Sequence, residues 1–538
     1  MRLYKVLAII LLIIATALNG YSQTDTLKIS STLIGVGATG ASLPQWIQSN
    51  RYGIFDSNQS AGLLLGVGAE AEGAFHSVGY KAGVEVFGNS YGGDAWLQQA
   101  YVNFSLYSFE LKLGKEQFTT GMPNENLGSG SWLIGNNARP IPRVGFGLFE
   151  YTPVRFTHGW LEIKGALMHA FLNDDRGEKG TDGAQIHEKF AYLRLSKYFI
   201  QPYAGMGHSV LMAGVNPHGQ QMTTNYWAVF FGKADPNGSG ADQLNVAGGN
   251  SGIKELGFYI DLKEGKEVQF YFQRPLKDRA TLPFFGRNKD FLTGLNYVNK
   301  NSKALVTGFN IELFKSSWQS GPGTPDPMVN GNFVHITRDI SPNPEKWMED
   351  NFGIVSPGIT TDEVVEFLED EVNYGHEFGG RANYLNNQDY YKGFTYHGRM
   401  IGPSLFHTVD QVKLYNPNFN DEWDFFVANN RVEALHLGVE GWVNKSVFYR
   451  LKYTHSRNYG TYAGLNQGRF QWESENPDSD YEYYFDGGLT QNYTLAEINY
   501  TSAKFSNFEF GLSIGYDFGE LYNAFGTMLS MKFNFVNK

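Results

Sequence analysis

Between residues 508 and 535 the chain alternates two residues at a time. Phe508, Phe510, Leu512, Ile514 and Tyr516 share one parity; Glu509, Gly511, Ser513 and Gly515 share the other. After an interruption at 517–523, Phe525, Thr527, Leu529, Met531, Phe533 and Phe535 resume the apolar parity against Gly526, Met528, Ser530, Lys532 and Asn534. Successive side chains of a β-strand point to opposite faces, so the pattern predicts two neighbouring strands with one apolar and one wet face. Each runs to about ten residues, the length with which a tilted strand crosses a bilayer. The period recurs upstream. Ala100, Val102, Phe104 and Leu106 alternate with Gln99, Tyr101, Asn103 and Ser105; Phe109, Leu111 and Leu113 alternate with Glu110, Lys112 and Gly114. Val447, Tyr449, Leu451 and Tyr453 do so with Arg450, Lys452 and Thr454, and Ala496, Ile498 and Tyr500 with Glu497 and Asn499. The charges of these runs fall on the wet parity, as a water-filled lumen requires and a lipid face does not tolerate. Further strand-like runs lie at 63–75, 81–86, 160–169, 190–195, 203–212, 226–231, 253–261, 268–272, 304–313, 377–384 and 404–413. The expected fold is all-β, a transmembrane antiparallel β-barrel of the bacterial outer membrane with roughly 16 to 20 strands.

Two segments break the period. Residues 342–350 and 361–371 read as helices. In the second, Thr361 or Asp362 can cap, and Val364, Val365, Leu368 and Val372 form an apolar stripe. Asp362, Glu363 and Glu366 sit near its N-terminal end, where the helix dipole favours acids. Both belong to a long insertion near 321–375, expected to be an extracellular loop, a plug or a helical cap.

The first 22 residues carry Arg2 and Lys5, an apolar run from Val6 to Leu18, and small residues Gly20 and Ser22. This is the form of a secretory signal peptide cleaved near Ser22, leaving residues 23–538 as one barrel. The sequence holds no cysteine, so neither a lipid anchor at the mature start, nor a disulfide, nor a thiolate metal site is available. The formal charge of −11 argues against nucleic acid as a partner. Past the leader no apolar run reaches the ~18 residues of a membrane helix. Aromatic residues make up 15% of the chain and glycines number 63, a supply that aromatic girdles and tight turns would use.

Catalytic signatures are missing from the sequence. It has no GxSxG elbow, no HExxH and no phosphate loop, so the chain is not expected to be an enzyme. His187, His376, His397 and His407 have no partner at metal-ligand spacing. The acidic loops 173–175 and 478–480 lack the spacing and closing Glu of a calcium hand. No cofactor or metal is expected.

Three polar, aromatic, turn-rich stretches stand apart. The first, 43–53, contains Trp46, Asn50, Arg51 and Tyr52; the second, 128–142, contains Ser129, Ser131, Trp132, Asn136, Asn137 and Arg139. The third, 386–402, contains Asn386, Asn387, Tyr390 and Arg399. Amide, guanidinium and hydroxyl groups beside aromatic faces suit a sugar, whose hydroxyls need donors and acceptors and whose C–H faces pack on rings. Barrel turns with girdle aromatics would use the same residue types. In the runs W-I-Q-S-N-R-Y-G at 46–53, Ser129, Ser131 and N-N-A-R-P-I-P at 136–142, and 386–402, the chain resembles the Wzi capsule-assembly proteins of the outer membrane, in particular their Bacteroidetes branch. The resemblance implies an outer-membrane β-barrel of about 18 strands with a loop plug closing its lumen, a few short helices, and a lectin-like role toward capsular or exopolysaccharide. It carries over no individual sugar contact. The remaining expected partners are outer-membrane lipid and the barrel assembly machinery, with the barrel acting as a monomer. A porin-like channel for small solutes or oligosaccharides is the alternative.

Overall fold

The computed structural model describes residues 26–537 apart from 239–241, 244–245, 278–283, 285–287, 302, 320–327, 330–331, 335, 372–382, 466, 468–479 and 503. The leader at 1–22 therefore lies outside the described residues. Eighteen antiparallel strands form one closed sheet. They are β1 (Thr26–Ala38), β2 (Ala61–Phe75), β3 (Val78–Asn89), β4 (Ala95–Leu106), β5 (Phe109–Lys115), β6 (Pro142–Pro153), β7 (Leu161–Phe171), β8 (Gln185–Leu195) and β9 (Ile200–Met212). There follow β10 (Gly249–Asp261), β11 (Lys266–Leu276), β12 (Phe291–Asn299), β13 (Gly308–Lys315), β14 (Val432–Trp442), β15 (Val447–Asn458), β16 (Leu489–Thr501), β17 (Phe508–Gly519) and β18 (Ala524–Asn537). Each pairs with its sequence neighbours, and β1 pairs with β18 from Leu27 opposite Asn537 to Ala38 opposite Gly526. That pairing closes the cylinder and removes every exposed sheet edge. No described helix is long and apolar enough to cross a membrane, so the strands do the crossing.

The two ends differ. At one, strands are joined by short turns such as 76–77, 107–108 and 262–265; at the other lie nearly all the long connections, including 39–60, 116–141, 213–248 and 316–431. In outer-membrane barrels the short turns are periplasmic and the long loops extracellular. The alternation read from the sequence sets the faces. On β17, Phe510, Leu512, Ile514 and Tyr516 are exposed outward, whereas Ser513, Gly515 and Asp517 are buried inward. Phe75, Tyr107, Phe109, Phe156, Trp160, Tyr198 and Phe199 stay exposed at the short-turn end, the position of an aromatic girdle. Inward charges pair across the lumen wall: Arg450 lies 2.8 Å from Glu440 and 3.2 Å from Glu497, and Lys112 lies 3.2 Å from Glu116.

Several expected elements differ. Residues 226–231 form a helix, not a strand. Asn225 caps it by accepting from the Ala228 amide, and Gly232 ends it at φ +61°. The run 404–413 contains a two-residue strand at His407–Thr408 and a helix at Val409–Tyr415, closed by a capping box between Thr408 and Gln411. Of the run 377–384, residues 377–382 lie outside the described residues, and Asn383 and Tyr384 are not in a strand. Strands β1, β6, β12 and β14 were not expected from the alternation. The insertion's helices do form, at Pro344–Phe352 and Thr361–Glu371. They share a small core in which Trp347 and Met348 meet Val364 and Leu368.

Candidate functional site

Each of the three polar stretches enters the barrel at the long-loop end, and together they fill it. Trp46, Trp132, Ile134, Tyr390, Tyr396 and Ile401 share one apolar cluster with inward-facing wall residues such as Phe190, Tyr271, Phe314 and Tyr493. The core of this protein is thus a plug inside a cylinder.

The first stretch forms the floor on the β16–β18 side. Its short helix Gln45–Gln48 is buried throughout. The Gln45 amide donates to Asp517 Oδ2 at 2.7 Å, and Trp46 Nε1 donates to Thr454 Oγ1 at 3.1 Å. Gly515 and Gly526 make room for it, since a Cβ there would stand 2.9 and 2.5 Å from Pro44. Asn50, Tyr52 and Gly53 then turn the chain in the left-handed region, at φ 56°, 53° and 61°. Asn50 Nδ2 donates to the Gly128 carbonyl, Tyr52 donates to Glu125, and Arg51 reaches Glu497 on the wall at 2.8 Å.

The second stretch runs through the centre. The Ser129 amide donates to Glu312 Oε2, and Ser131 Oγ donates to the Thr120 carbonyl. The Trp132 ring stacks on Phe314 at 4.8 Å with the edges of Tyr384 and Phe406 around it. Asn136 donates to the Glu125 carbonyl and Asn137 to the Met400 carbonyl. Arg139 bonds the Gly53 carbonyl and Asp56 and lies over Trp96 at 4.2 Å.

The third stretch locks the other two. Asn386 exchanges bonds with Val427, Asn387 turns the chain by accepting from the Asp389 amide, and Tyr390 donates to the Ala213 carbonyl. Arg399 donates Nε to the Phe55 carbonyl and a terminal nitrogen to Gln48 Oε1, both at 2.9 Å. Burial pushes its guanidinium down to about 10, against the pull of Asp56. The expected site residues are therefore brought together, but inside. Trp46, Ser129, Ser131, Trp132, Asn136, Asn137, Asn386, Tyr390 and Arg399 are buried, and only Asn50, Arg51, Tyr52, Arg139 and Asn387 are half-exposed.

Sequence reading missed two features of this site. Arg176, 1% exposed, clasps the third stretch by donating to the Gly393 and Thr395 carbonyls, with Asp174 beside it. The acidic loop 173–175 is thus a plug fastening; no periodic signal marks it. The other is a shallow cleft of about 20 Å³, with room inside for about one water, that opens at the long-loop end beside the β17–β18 turn. It is lined by Ser42, Gln45, Gln48, Ser57, His407, Gln411, Leu414, Tyr415 and Tyr522. The Tyr415 and Tyr522 rings stack at 5.3 Å, and His407 Nδ1 meets the Tyr415 hydroxyl at 3.0 Å. Burial pushes His407 down to about 4, so the lining carries no charge at neutral pH. Hydroxyl and amide edges beside stacked rings offer a sugar hydrogen bonds and an apolar face. Among the described residues no three His, Asp or Glu side chains gather as a metal site.

These features define a closed, internally plugged β-barrel of the outer-membrane type. The sequence matches no family model and no curated protein. Among solved structures, the chain is similar to Wzi of Escherichia coli, an outer-membrane protein involved in group 1 capsule assembly and a carbohydrate-binding β-barrel. The TM-score is 0.53 and the identity 11%, over 93% of this chain and 83% of that one. It is also similar to two Pseudomonas aeruginosa proteins. OccK5 (OpdH) gives a TM-score of 0.41 and 9% identity over 96% of this chain and 100% of the other; OccK2 (OpdF), solved with glucuronate, gives 0.45 and 8% over 96% and 97%. At such identities the likeness is one of fold.

Proposed function

We propose that this chain is an outer-membrane barrel, reached through a leader cleaved near Ser22, that binds surface polysaccharide at its long-loop end and helps assemble or retain a capsule. The observation that carries the reading is that the lumen's long-loop end is filled by the chain's own buried stretches, while the mouth keeps a cleft of hydroxyls, amides and stacked tyrosines. The resemblance to the Wzi family and its Bacteroidetes branch, and the fold shared with a carbohydrate-binding barrel, support it. On this reading the buried signature residues, Trp46 to Arg399, hold the plug in place, and contact with sugar falls to the cleft. Weak single sites suffice, because a repeating polymer on a crowded surface binds by avidity. The test pairs a glycan screen on purified protein with a capsule-retention assay. Wild type binds surface polysaccharide, Ser57→Trp at the cleft mouth loses binding, and a deletion strain sheds polysaccharide into the medium. A deletion strain that keeps all its polysaccharide attached refutes the function.

A porin-like role is the second reading, favoured by the ion pairs of Arg450 and Lys112 that line a wet lumen. Single-channel recording separates the two: a steady ohmic current supports the channel, and a silent bilayer the plugged lectin.

A further inference from the structure

The lipid side of the wall carries a polar feature that polysaccharide binding does not use. On β7–β9, Met168, Phe190, Tyr203 and Leu211 point into the lumen core, so the opposite parity faces outward. Near the short-turn end that outer face is apolar, with Leu193 and Ile200 exposed. Toward the long-loop end it becomes His169, His187, Lys189 and His208. His169 stands opposite His187, and Lys189 opposite His208.

The connection between β9 and β10 folds back over this face. Its helix Tyr226–Phe231 lays Ala228 and Val229 on the outward side chains of Val210 and Met212. Lys189 donates to the carbonyls of Val229 and Phe230. Trp227 and Phe231 point away, 64% and 60% exposed. Beneath the helix His187 is wholly buried, with the Tyr226 and Phe230 rings 4.7 and 5.9 Å away. Among the described residues neither of its ring nitrogens has a hydrogen-bond partner, and neither does Nδ1 of His169. Buried polar groups are as a rule bonded, and an imidazole always brings a donor. Acids of the covering loop are held within it: Asp235 by Thr223 and Asn225, Asp242 by the Gly248 amide.

We propose that this face is a headgroup site for a phosphorylated glycolipid of the outer leaflet. An imidazole beside an ammonium suits a phosphate, the long-loop end lies at the outer leaflet, and exposed aromatics belong at its interface. The phosphate is received at the helix's edge by the half-buried His169 and Lys189, with His187 behind them, and Trp227 and Phe231 lie among the acyl chains. The site rests on the barrel's outer-membrane location and is independent of polysaccharide binding.

The test uses the full chain in detergent with purified lipid A, enzymatically dephosphorylated lipid A and phosphatidylethanolamine. Bound lipid is counted by native mass spectrometry after detergent exchange. Lipid A is retained in stoichiometric amount, about tenfold or more above its dephosphorylated form. His169→Phe and Lys189→Met each cut that retention by about tenfold or more, while the heat-modifiable gel shift of a folded barrel persists. Equal retention of the two lipid A forms by the wild type, a comparison that needs no variant, overturns the proposal. So do folded variants that retain lipid A like the wild type.

Discussion

Arg399 ties the third plug stretch to the first, and its removal has a calculable effect. It makes two charge-assisted bonds, to the Phe55 carbonyl and Gln48 Oε1. At roughly 1.5–3 kcal/mol each, their loss costs about 3–6 kcal/mol. Part of this is offset, because the plugged state also bears the cost of burying the guanidinium. Its fall to about 10 from an ordinary value near 12.5 corresponds to about 3 kcal/mol, at roughly 1.36 kcal/mol per pH unit. Arg399→Ala is therefore expected to weaken plug docking by about 1.5 kcal/mol, which raises the undocked fraction roughly tenfold. The wall hydrogen bonds are untouched, so the barrel keeps its heat-modifiable gel shift. In a planar bilayer the variant should show opening events about 10 times as often as the wild type. Arg399→Lys keeps the charge but lacks the fixed planar fork that places donors on separate nitrogens, and should fall between them. A folded Arg399→Ala barrel as silent as the wild type would refute this account of what holds the plug.

Asp424 supplies a pH dependence. Its carboxyl accepts from Thr461 and lies 3.4 Å from the Tyr483 hydroxyl, and burial pushes it up to about 8. The folded chain thus holds this proton more tightly than the unfolded chain, whose Asp titrates near ~3.9. The contribution to stability is complete below about pH 4 and is lost as pH rises to about 8, at up to ~1.4 kcal/mol per unit. Hydrogen exchange at residues 461–465, corrected for intrinsic rates, should accelerate across that window; Asp424→Asn should flatten it, and a flat wild-type profile would contradict the assignment. Trp132 tests the packing. Trp132→Ala removes the ring that Phe314, Tyr384 and Phe406 surround and should destabilise the plug by about 3–5 kcal/mol. Because Trp132 Nε1 has no partner, Trp132→Phe should cost under about 1.5 kcal/mol; protease resistance of the plug measures both.

The wall was legible in the sequence because its physics is local. Lipid outside and water inside impose a strict period of two, which β17, β18, β15 and residues 99–106 of β4 display without a break. Strand β1 escaped notice because Leu33 and Ile34 are adjacent apolar residues of opposite facing; Ile34 is 5% exposed in the plug core and Leu33 42% exposed outward. Residues 226–231 read as a strand since six apolar residues carry no period long enough to separate helix from strand. What decides is the Asn225 cap and the β9 face beneath it. In the plug, composition named the right stretches but not their exposure. Tryptophan, asparagine and arginine look alike in a sugar site and in a polar core whose donors must all find acceptors. Only the tertiary positions of Glu312, Thr454 and Phe55 show that Ser129, Trp46 and Arg399 face inward.

The seam between β1 and β18 joins residues nearly a full chain length apart. Contacts of such separation bear the largest loop-closure entropy and form late. The plug's first stretch follows β1 directly and rests on Gly515 and Gly526, one strand and no strands from the seam. Those glycines fit Pro44 so closely that a side chain at either would push the helix off the last strands. The plug's first helix and the barrel's closing strands thus share one contact surface. A substitution at Gly515 or Gly526 therefore disturbs the plug and the seam together, though the two lie at opposite ends of the fold's logic, one filling the cylinder and the other closing it.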